Sequence, residues 1–273
     1  MRRLKFTKAQ AVGNDFLIVE GSDLDSLEDA PALAQEICDL HTGIGADGLE
    51  VVLPGEGDVA AHLRIFNPDG SEAEISGNGT RCVAAYLAEA ARVGSEFKLS
   101  TAAGTKTIEL LDDRRPVFAF RMGMGTPTYN PDGLDTTLPL KDGPQRATMV
   151  HVGNPQCALF VDDFNLDWRA LGAEIECHPY FPKRTNVSFI RVIDEGTIDV
   201  RFWERGAGET LSSGTGSTGA AAASILTERT AREVEVLTPA GSMKLSWRDE
   251  MQLEGPATLI ARGEYLLRHD RGA

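Results

Sequence analysis

The chain has 273 residues and a formal charge of −14, and its residues are 42% hydrophobic and 25% charged. These values are typical of a globular protein that can bury a sizeable core. The negative charge argues against nucleic acid and an anionic membrane surface as partners, since both attract clustered Lys and Arg. No stretch reaches the roughly 18 apolar residues of a membrane helix, and no apolar run follows the amino terminus as in a signal peptide.

The four cysteines are scattered along the chain without the paired spacing of a zinc site or a disulfide framework. We therefore expect reduced thiols, no metal and a cytoplasmic location. Cys82, Cys157 and Cys177 are interpreted as small buried thiols.

Short β-branched and apolar runs separated by Gly, Pro, Asn and Asp predict many strands along the chain. A glycine-rich loop, Gly43–Gly48, leads into the apolar strand Leu49–Leu53. Helical spacing is found in Pro31–Leu40, and Leu171–Cys177 is a weaker helical candidate. Thr126–Pro144 is rich in Pro, Asp and Gly, and we interpret it as an inter-domain connection.

Two stretches share an unusual pattern, Glu72–Leu87 (EAEISGNGTRCVAAYL) and Glu209–Ser224 (ETLSSGTGSTGAAAAS). Each runs from a glutamate through Ser-Gly-x-Gly into an alanine-rich helix. A helix that begins at a glycine-rich turn presents unpaired N–H groups and a positive dipole end, which together bind anions. We call these two turns the Ser76 seat and the Ser213 seat. The second helix is apolar all round, which predicts that it is buried.

The two stretches belong to an internal repeat. Aligning Arg64 with Arg201 places four residues of the first stretch on four of the second: Glu72, Ser76, Gly77 and Gly79 on Glu209, Ser213, Gly214 and Gly216. Such self-similarity predicts two homologous halves, and we expect the two seats to face each other and hold one carboxylate. Helix ends on one carboxylate would also stabilise the enolate-like species formed when the neighbouring carbon loses its proton. With Ser76 at the edge of one site and Ser213 at the edge of the other, this arrangement favours racemisation or epimerisation by two bases.

Seven blocks, in order along essentially the whole chain, carry a family resemblance. They are FTKAQAVGNDF, HTGIGADGL, FNPDGSEAEISGNGTRC, VGNPQCALFV, FPKRTNVSF, ERGAGETLSSGTG and LEGPATLIARGEY. The chain resembles the diaminopimelate epimerases. The resemblance implies an α/β fold of two pseudo-symmetric domains, each a curled mixed β-sheet wrapped around a central helix. We place the halves at residues 1–122, joined by segment 262–273, and at 123–261.

The resemblance also implies an activity, the cofactor-independent epimerisation of diaminopimelate from the LL to the meso form in lysine and peptidoglycan precursor synthesis. The expected partner is a small diamino dicarboxylic acid, and the expected assembly is a homodimer. By position in the matching blocks, Ser76 and Ser213 are the catalytic groups. The positions implied to bind substrate are Asn14, Asn67, Gly77, Asn78, Asn154, Asn186, Glu204, Arg205, Gly214 and Thr215. Glu204 and Arg205 would read the non-reacting end, because a guanidinium fork fits a carboxylate.

The sequence departs from the family at the reacting groups. The family's two bases are cysteines, whereas this chain has Ser76 and Ser213, and Gln156 replaces the histidine of a GNPH block. A thiol near a helix N-terminus can ionise close to neutral pH. A serine hydroxyl needs a base beside it, and Gln156 removes the nearest candidate. The two-thiol mechanism therefore cannot operate unchanged in this chain.

Several alternatives stay open at this point. The chain can be a non-catalytic amino-acid binder that keeps the recognition residues, or a related isomerase or dehydratase that uses Ser76, Ser213 or Glu204 differently. Glu72 and Glu209 can act as bases or only bond to loop backbone. Gly214–Gly219 also fits the G-x-G-x-x-G pattern of dinucleotide binding, although no apolar strand directly precedes it as that motif requires.

Overall fold

The computed structural model describes residues 2–267. The chain forms two compact units, Met1–Arg121 with Pro256–Ala273, and Met122–Gly255. The predicted halves put the second boundary a few residues further along, between 261 and 262, and residues 268–273 of the predicted joining segment lie outside the described residues. The interpretation of Thr126–Pro144 as an inter-domain connection is wrong, because this segment belongs to the second unit.

The first unit is a mixed sheet with two α-helices. Its strands are β1 (Arg3–Ala11), β2 (Asn14–Glu20), β3 (Gly48–Pro54), β4 (Val59–Phe66), β5 (Glu72–Ala73), β6 (Glu96–Thr101), β7 (Gly104–Arg114) and β8 (Val117–Gly125), which continues into the second unit. Its helices are α1 (Ala30–Ile37) and α2 (Gly77–Glu89), with 3-10 turns at Gly21–Asp23 and Leu27–Asp29.

The second unit is built in the same way. Its strands are β9 (Thr136–Leu138), β10 (Gln145–His151), β11 (Pro155–Phe160), β12 (Asn186–Asp194), β13 (Thr197–Glu204), β14 (Gly208–Thr210), β15 (Glu233–Thr238), β16 (Gly241–Trp247) and β17 (Met251–Leu266), which returns to the first unit. Its helices are α3 (Trp168–Glu176) and α4 (Gly214–Leu226), with a 3-10 turn at Pro131–Gly133.

The strand pairing repeats from one unit to the other. In the first unit β1 pairs antiparallel with β2, β2 parallel with β3, β3 antiparallel with β4, and β4 parallel with β6. In the second unit β10, β11, β12, β13 and β15 follow the same sequence of directions. The predicted α/β fold class, two pseudo-symmetric domains with curled mixed sheets around a central helix, is confirmed.

Each unit surrounds one central helix. In α2 the residues from Gly77 to Ala85 are all buried, and in α4 the buried run extends from Gly214 to Ser224. Helix α4 consists mainly of Gly, Ala and Ser over this run, so the surrounding strands β10–β13 can approach it closely. The predicted burial of this helix is confirmed. Among the helices of residues 2–267, none is long and apolar enough to cross a membrane.

The outer face of each sheet is covered by the shorter helix. Helix α1 buries Leu33 and Ile37 against Leu49 and Val51 of β3. Helix α3 plays the same part in the second unit, where Trp168 packs near Phe189 with ring centroids 5.8 Å apart. Because both faces are covered here, the first five residues of β3 and of β12 are buried and their registers are fixed. These strands therefore fix the positions of the first turns of the central helices α2 and α4.

Candidate active site

The Ser76 seat is the N-terminus of α2. Ser76 has extended backbone angles, and its Oγ accepts a hydrogen bond from Gly79 N at 3.0 Å, so it is the N-cap of the helix. The first helical bond runs from Thr80 N to Ser76 O at 2.8 Å. The amides of the first turn, which begins at Gly77, precede this bond, and such first-turn amides can bind an anion.

Asn14 and Asn78 lie together beside this seat. Asn78 Nδ2 donates to Asn14 Oδ1 at 3.3 Å, and Asn14 Nδ2 donates to Asp47 Oδ2 at 2.8 Å. The fully buried Arg81 donates to Asn78 Oδ1 at 2.7 Å and to Gly77 O at 3.0 Å. A buried cation bonded to both residues places positive charge beneath the first turn of α2, which favours an anion there. Burial lowers the pKa of Arg81 to about 10.

Asn67 is held by its own turn. Its Nδ2 donates to Ser71 Oγ at 2.9 Å, and its backbone N–H donates to Ser71 O at 2.8 Å. The side chain is exposed. These bonds occupy the amide in the β4–β5 loop and do not join it to Ser76, Asn14 or Asn78.

The Ser213 seat is the N-terminus of α4. Ser213 is buried, and its Oγ accepts from Gly216 N at 3.0 Å. The same Oγ donates to Glu204 Oε2 at 2.9 Å, while Glu204 Oε1 accepts from Thr210 Oγ1 at 2.7 Å. A serine that both receives a backbone N–H and donates to a carboxylate has a general base at hydrogen-bond distance. Glu204, at the end of β13, is thus a candidate base for Ser213 that does not depend on the histidine replaced by Gln156.

The other predicted residues of the second unit join a polar network near α4. Asn154 Nδ2 donates to Thr215 Oγ1 at 3.2 Å, and Gln156 Nε2 donates to Asn154 Oδ1 at 2.7 Å. Gln156 Oε1 is buried and has no hydrogen-bond partner in the described part of the chain. Gln156 thus orients Asn154, a role that an amide performs without titrating.

Asn186 and Arg205 lie beside that network. Asn186 Nδ2 donates to Pro155 O at 3.1 Å, and its Oδ1 accepts from Arg205 N at 3.0 Å. The Arg205 guanidinium is exposed and makes a long bond of 3.3 Å to Lys183 O. Asn186 therefore fixes the backbone of Arg205 and leaves its guanidinium fork available to a carboxylate.

Glu72 and Glu209, the glutamates that open the two repeated stretches, are each engaged by an arginine. Arg64 binds Glu72 through two bonds of 2.8 and 2.7 Å. Arg169 binds Glu209 in the same bidentate way, at 2.5 and 2.7 Å. Arg201, the repeat partner of Arg64, bonds instead to Asp199. The arginine lowers the pKa of Glu72, so this carboxylate is a structural anion and a poor base.

The cysteines take no part in either seat. Cys82 and Cys157 are buried as predicted, and burial raises the pKa of each thiol, to about 12 for Cys157. Cys177 is exposed after the end of α3, so its predicted burial is wrong. In residues 2–267 no group of three or more His, Cys, Asp or Glu could hold a metal ion.

Sequence reasoning missed two buried charged residues of the Ser76 seat. Arg81 follows the Ser-Gly-x-Gly turn, and its sequence context suggests an ordinary position on an amphipathic helix. Its place in the first turns of α2 is nevertheless a signal that it could act at the anion site. Glu50 interrupts the apolar strand Leu49–Leu53 and is fully buried next to Gly79. A glutamate in the middle of a buried strand rarely occurs without a function or a partner, and that pattern was visible in the sequence.

The packing of the Ser213 seat yields a testable prediction. A Cβ at residue 216 would lie 2.8 Å from Phe202 Cδ1 and 2.9 Å from Ser213 Cβ. We expect Gly216→Ala to lower the free energy of unfolding by about 1–3 kcal/mol through overpacking. Gly196→Ala is the matched control, since a Cβ there would meet only Asp194 Oδ1 at 3.6 Å. Urea denaturation measures both, and equal stability of the two variants would contradict the packing described here.

Known proteins resemble this chain in fold and in sequence. A hydroxyproline epimerase from Agrobacterium vitis has a solved structure that superposes with a TM-score of 0.76 at 15% identity, over 97% of this chain and 92% of that one. The chain therefore shares the fold of that epimerase structure.

Sequence comparison identifies the family. The family model described as diaminopimelate epimerase matches residues 6–129 and 148–260. A diaminopimelate epimerase from Pelotomaculum thermopropionicum is 42% identical, over 96% of this chain and 99% of that protein. Another from Moorella thermoacetica is 39% identical, over 97% and 100%. The chain belongs to the diaminopimelate epimerase family.

Proposed function

We propose that this protein is an isomerase that epimerises diaminopimelate at its α-carbon, from the LL to the meso form, without a cofactor. The family membership supports the substrate, and the reaction would supply lysine and peptidoglycan precursors. The observation that carries the proposal is the 2.9 Å hydrogen bond from Ser213 Oγ to Glu204 Oε2. It gives one of the two replaced catalytic positions a serine with an adjacent base.

In the proposed reaction, Ser213 accepts the α-proton as Glu204 accepts the hydroxyl proton of the serine. The family resemblance assigns the return of a proton to the carbon to Ser76, whose hydroxyl then regains a proton from water, while Glu204 releases its proton to water. First-turn amides would stabilise the developing carboxylate charge, and the family resemblance implies Gly77, Asn78, Gly214 and Thr215 for this role. Positioned acid–base groups of this kind contribute roughly 10²–10⁴-fold to a rate.

The remaining predicted residues are proposed to bind the substrate. They are Asn14, Asn67, Asn154, Asn186, Glu204 and Arg205. Glu204 then has two candidate roles, the substrate contact implied by the family and the contact with Ser213 seen in the structure. A homodimer is likewise proposed from the family resemblance, and sedimentation would measure it.

A second candidate function follows from the serines themselves. A chain that keeps the recognition residues but reacts slowly would act as an amino-acid binder, since a serine hydroxyl is a much weaker acid than a thiol. Chiral chromatography of LL-diaminopimelate incubated with the protein separates the two functions. Appearance of the meso form supports the epimerase, whereas calorimetric binding without conversion supports the binder.

A further inference from the structure

Glu50 is the most unusual side chain of the Ser76 seat. It lies on β3, is fully buried, and neither carboxyl oxygen has a hydrogen-bond partner among residues 2–267. A buried and unpartnered carboxylate is costly, so such groups favour their neutral form. Burial alone raises the pKa of Glu50 from 4.5 to about 8. At neutral pH this residue is therefore mainly a carboxylic acid.

The position of Glu50 ties it to the first turn of α2. A Cβ at residue 79 would lie 1.7 Å from Glu50 Oε1 and 3.2 Å from Ser76 Cβ, so these two atoms are at most about 4.9 Å apart. Gly79 is the residue whose N–H donates to Ser76 Oγ. The missing side chain at Gly79 thus makes room for the carboxyl group directly behind the seat.

The second unit shows that this carboxyl is not a requirement of the fold. Strand β12 corresponds to β3, and Ser188 pairs with Phe202 as Glu50 pairs with Ile65. A Cβ at Gly216 would meet Phe202, where a Cβ at Gly79 would meet Glu50. The acid is therefore particular to the Ser76 seat.

Few other groups near Glu50 titrate in the same range. Its partners across the sheet, Ile18 on β2 and Ile65 on β4, carry no charge. His62 and Arg64 fall on the other face of β4 by strand alternation. The charged or titratable side chains of α2 are those of Arg81, Cys82, Tyr86 and Glu89, and those of β2 are Asp15 and Glu20. Asp15 acts on Cys82, while Glu20 accepts a hydrogen bond of 2.7 Å from the Tyr86 hydroxyl.

The titration of these groups does not obscure the change in charge of Glu50 between pH 7 and pH 9. Burial raises the pKa of Cys82 well above its ordinary value and lowers that of Arg81 only to about 10. Asp15 is paired with Lys8 at 2.7 Å. Between pH 7 and pH 9, the charge beneath the seat therefore changes chiefly at Glu50.

We propose that Glu50 is a positioning residue of the Ser76 seat: as a neutral acid it lets the first turn of α2 bind a carboxylate, and as an anion it opposes that binding. The reason is electrostatic, because a negative charge a few ångströms behind the amides cancels much of the helix-end attraction. By linkage, a bound carboxylate must raise the proton affinity of Glu50. The inference rests on the proposed function in that the natural anion is taken to be the substrate carboxylate.

The test compares the unmodified protein, Glu50→Gln and Glu74→Gln by calorimetric titration with meso-diaminopimelate at pH 7 and pH 9. Glu74 is an exposed carboxylate two residues before Ser76 and serves as the matched control. The unmodified protein and Glu74→Gln should bind about five- to tenfold more weakly at pH 9, with net proton uptake on binding. One group titrating near pH 8 allows at most about a tenfold loss at pH 9. Titration of the ligand itself affects all three proteins equally. Glu50→Gln should therefore lack the additional weakening and the additional proton uptake that Glu50 causes in the other two.

An equal loss of affinity in Glu50→Gln and the unmodified protein would overturn the inference. A second arm does not need the proposed substrate. Carbon-13 NMR follows the titration of the Glu50 carboxyl in the unmodified protein, assigned with Glu50→Gln or, if that misfolds, Glu50→Met. Sodium acetate should move this titration to higher pH, and an unmoved titration would overturn the inference. If diaminopimelate fails to bind at either pH while acetate moves the titration, the proposed substrate fails and the role of Glu50 stands.

Discussion

The triple variant Ser76→Cys, Ser213→Cys and Gln156→His is expected to epimerise diaminopimelate at least about 100-fold faster than the unmodified protein. Each serine is an N-cap that accepts a backbone N–H at 3.0 Å, so a thiolate in its place would receive the same bond and the same helix-end field. Those interactions lower a thiol pKa toward neutrality, whereas a hydroxyl stays protonated. The estimate follows from the roughly 10²–10⁴-fold contribution of a matched acid–base group.

Gln156→His alone is the control for this experiment. It should give no comparable gain, because the hydroxyl groups of Ser76 and Ser213 still do not ionise near neutral pH. Rates are measured by chiral chromatography of the LL and meso forms. A triple variant that folds and binds diaminopimelate but turns over no faster would show that the seats do not hold the reacting groups.

The second large effect concerns stability. Glu50→Gln is expected to raise the free energy of unfolding at pH 8 and above by several kcal/mol, with an upper bound of about 5 kcal/mol. The bound comes from the rise in pKa from 4.5 to about 8, at 1.36 kcal/mol per unit. The folded protein keeps a proton that the unfolded chain releases, so this residue costs more stability as pH rises from 4.5 to 8. Below pH 4.5 the folded protein and the unfolded chain both hold this proton, so the pH-dependent loss of stability disappears.

Denaturant unfolding of both proteins from pH 4.5 to pH 9 measures that difference. The gap between Glu50→Gln and the unmodified protein should be small at pH 4.5, widen up to pH 8 and then level off. Glu74→Gln is again the matched control and should show no widening. A gap that is constant with pH would mean that Glu50 titrates normally in the folded chain.

The sequence predicted the main features of the fold for identifiable reasons. The Ser-Gly-x-Gly turns require N-caps and helix starts, and both Ser76 and Ser213 are found in that role. The repeat predicted two similar units because a supersecondary unit that recurs keeps its strand pairing. The interpretation of Thr126–Pro144 failed because turn-rich composition does not distinguish a linker from a loop that packs within a domain.

The contacts that decide the chemistry could not be derived from the sequence. Glu204 precedes Ser213 by a β-hairpin, and only the pairing of β13 with β14 returns the chain so that the two side chains meet. Glu50 contacts α2 because of the register of β3, which brings it under Gly79. Side-chain contacts of this kind depend on the register of strand pairing, and local sequence periodicity carries no information about them.

The most direct measurement of the proposed mechanism is the incorporation of deuterium at the α-carbon of diaminopimelate in deuterated water, followed by NMR. The unmodified protein should exchange the α-proton. Ser213→Ala and Glu204→Gln should each lose at least about 100-fold of that rate, while Gly196→Ala keeps it. Exchange that persists at full rate in Ser213→Ala, or an unmodified protein that binds diaminopimelate and exchanges no α-proton, would contradict catalysis by the serine–glutamate pair.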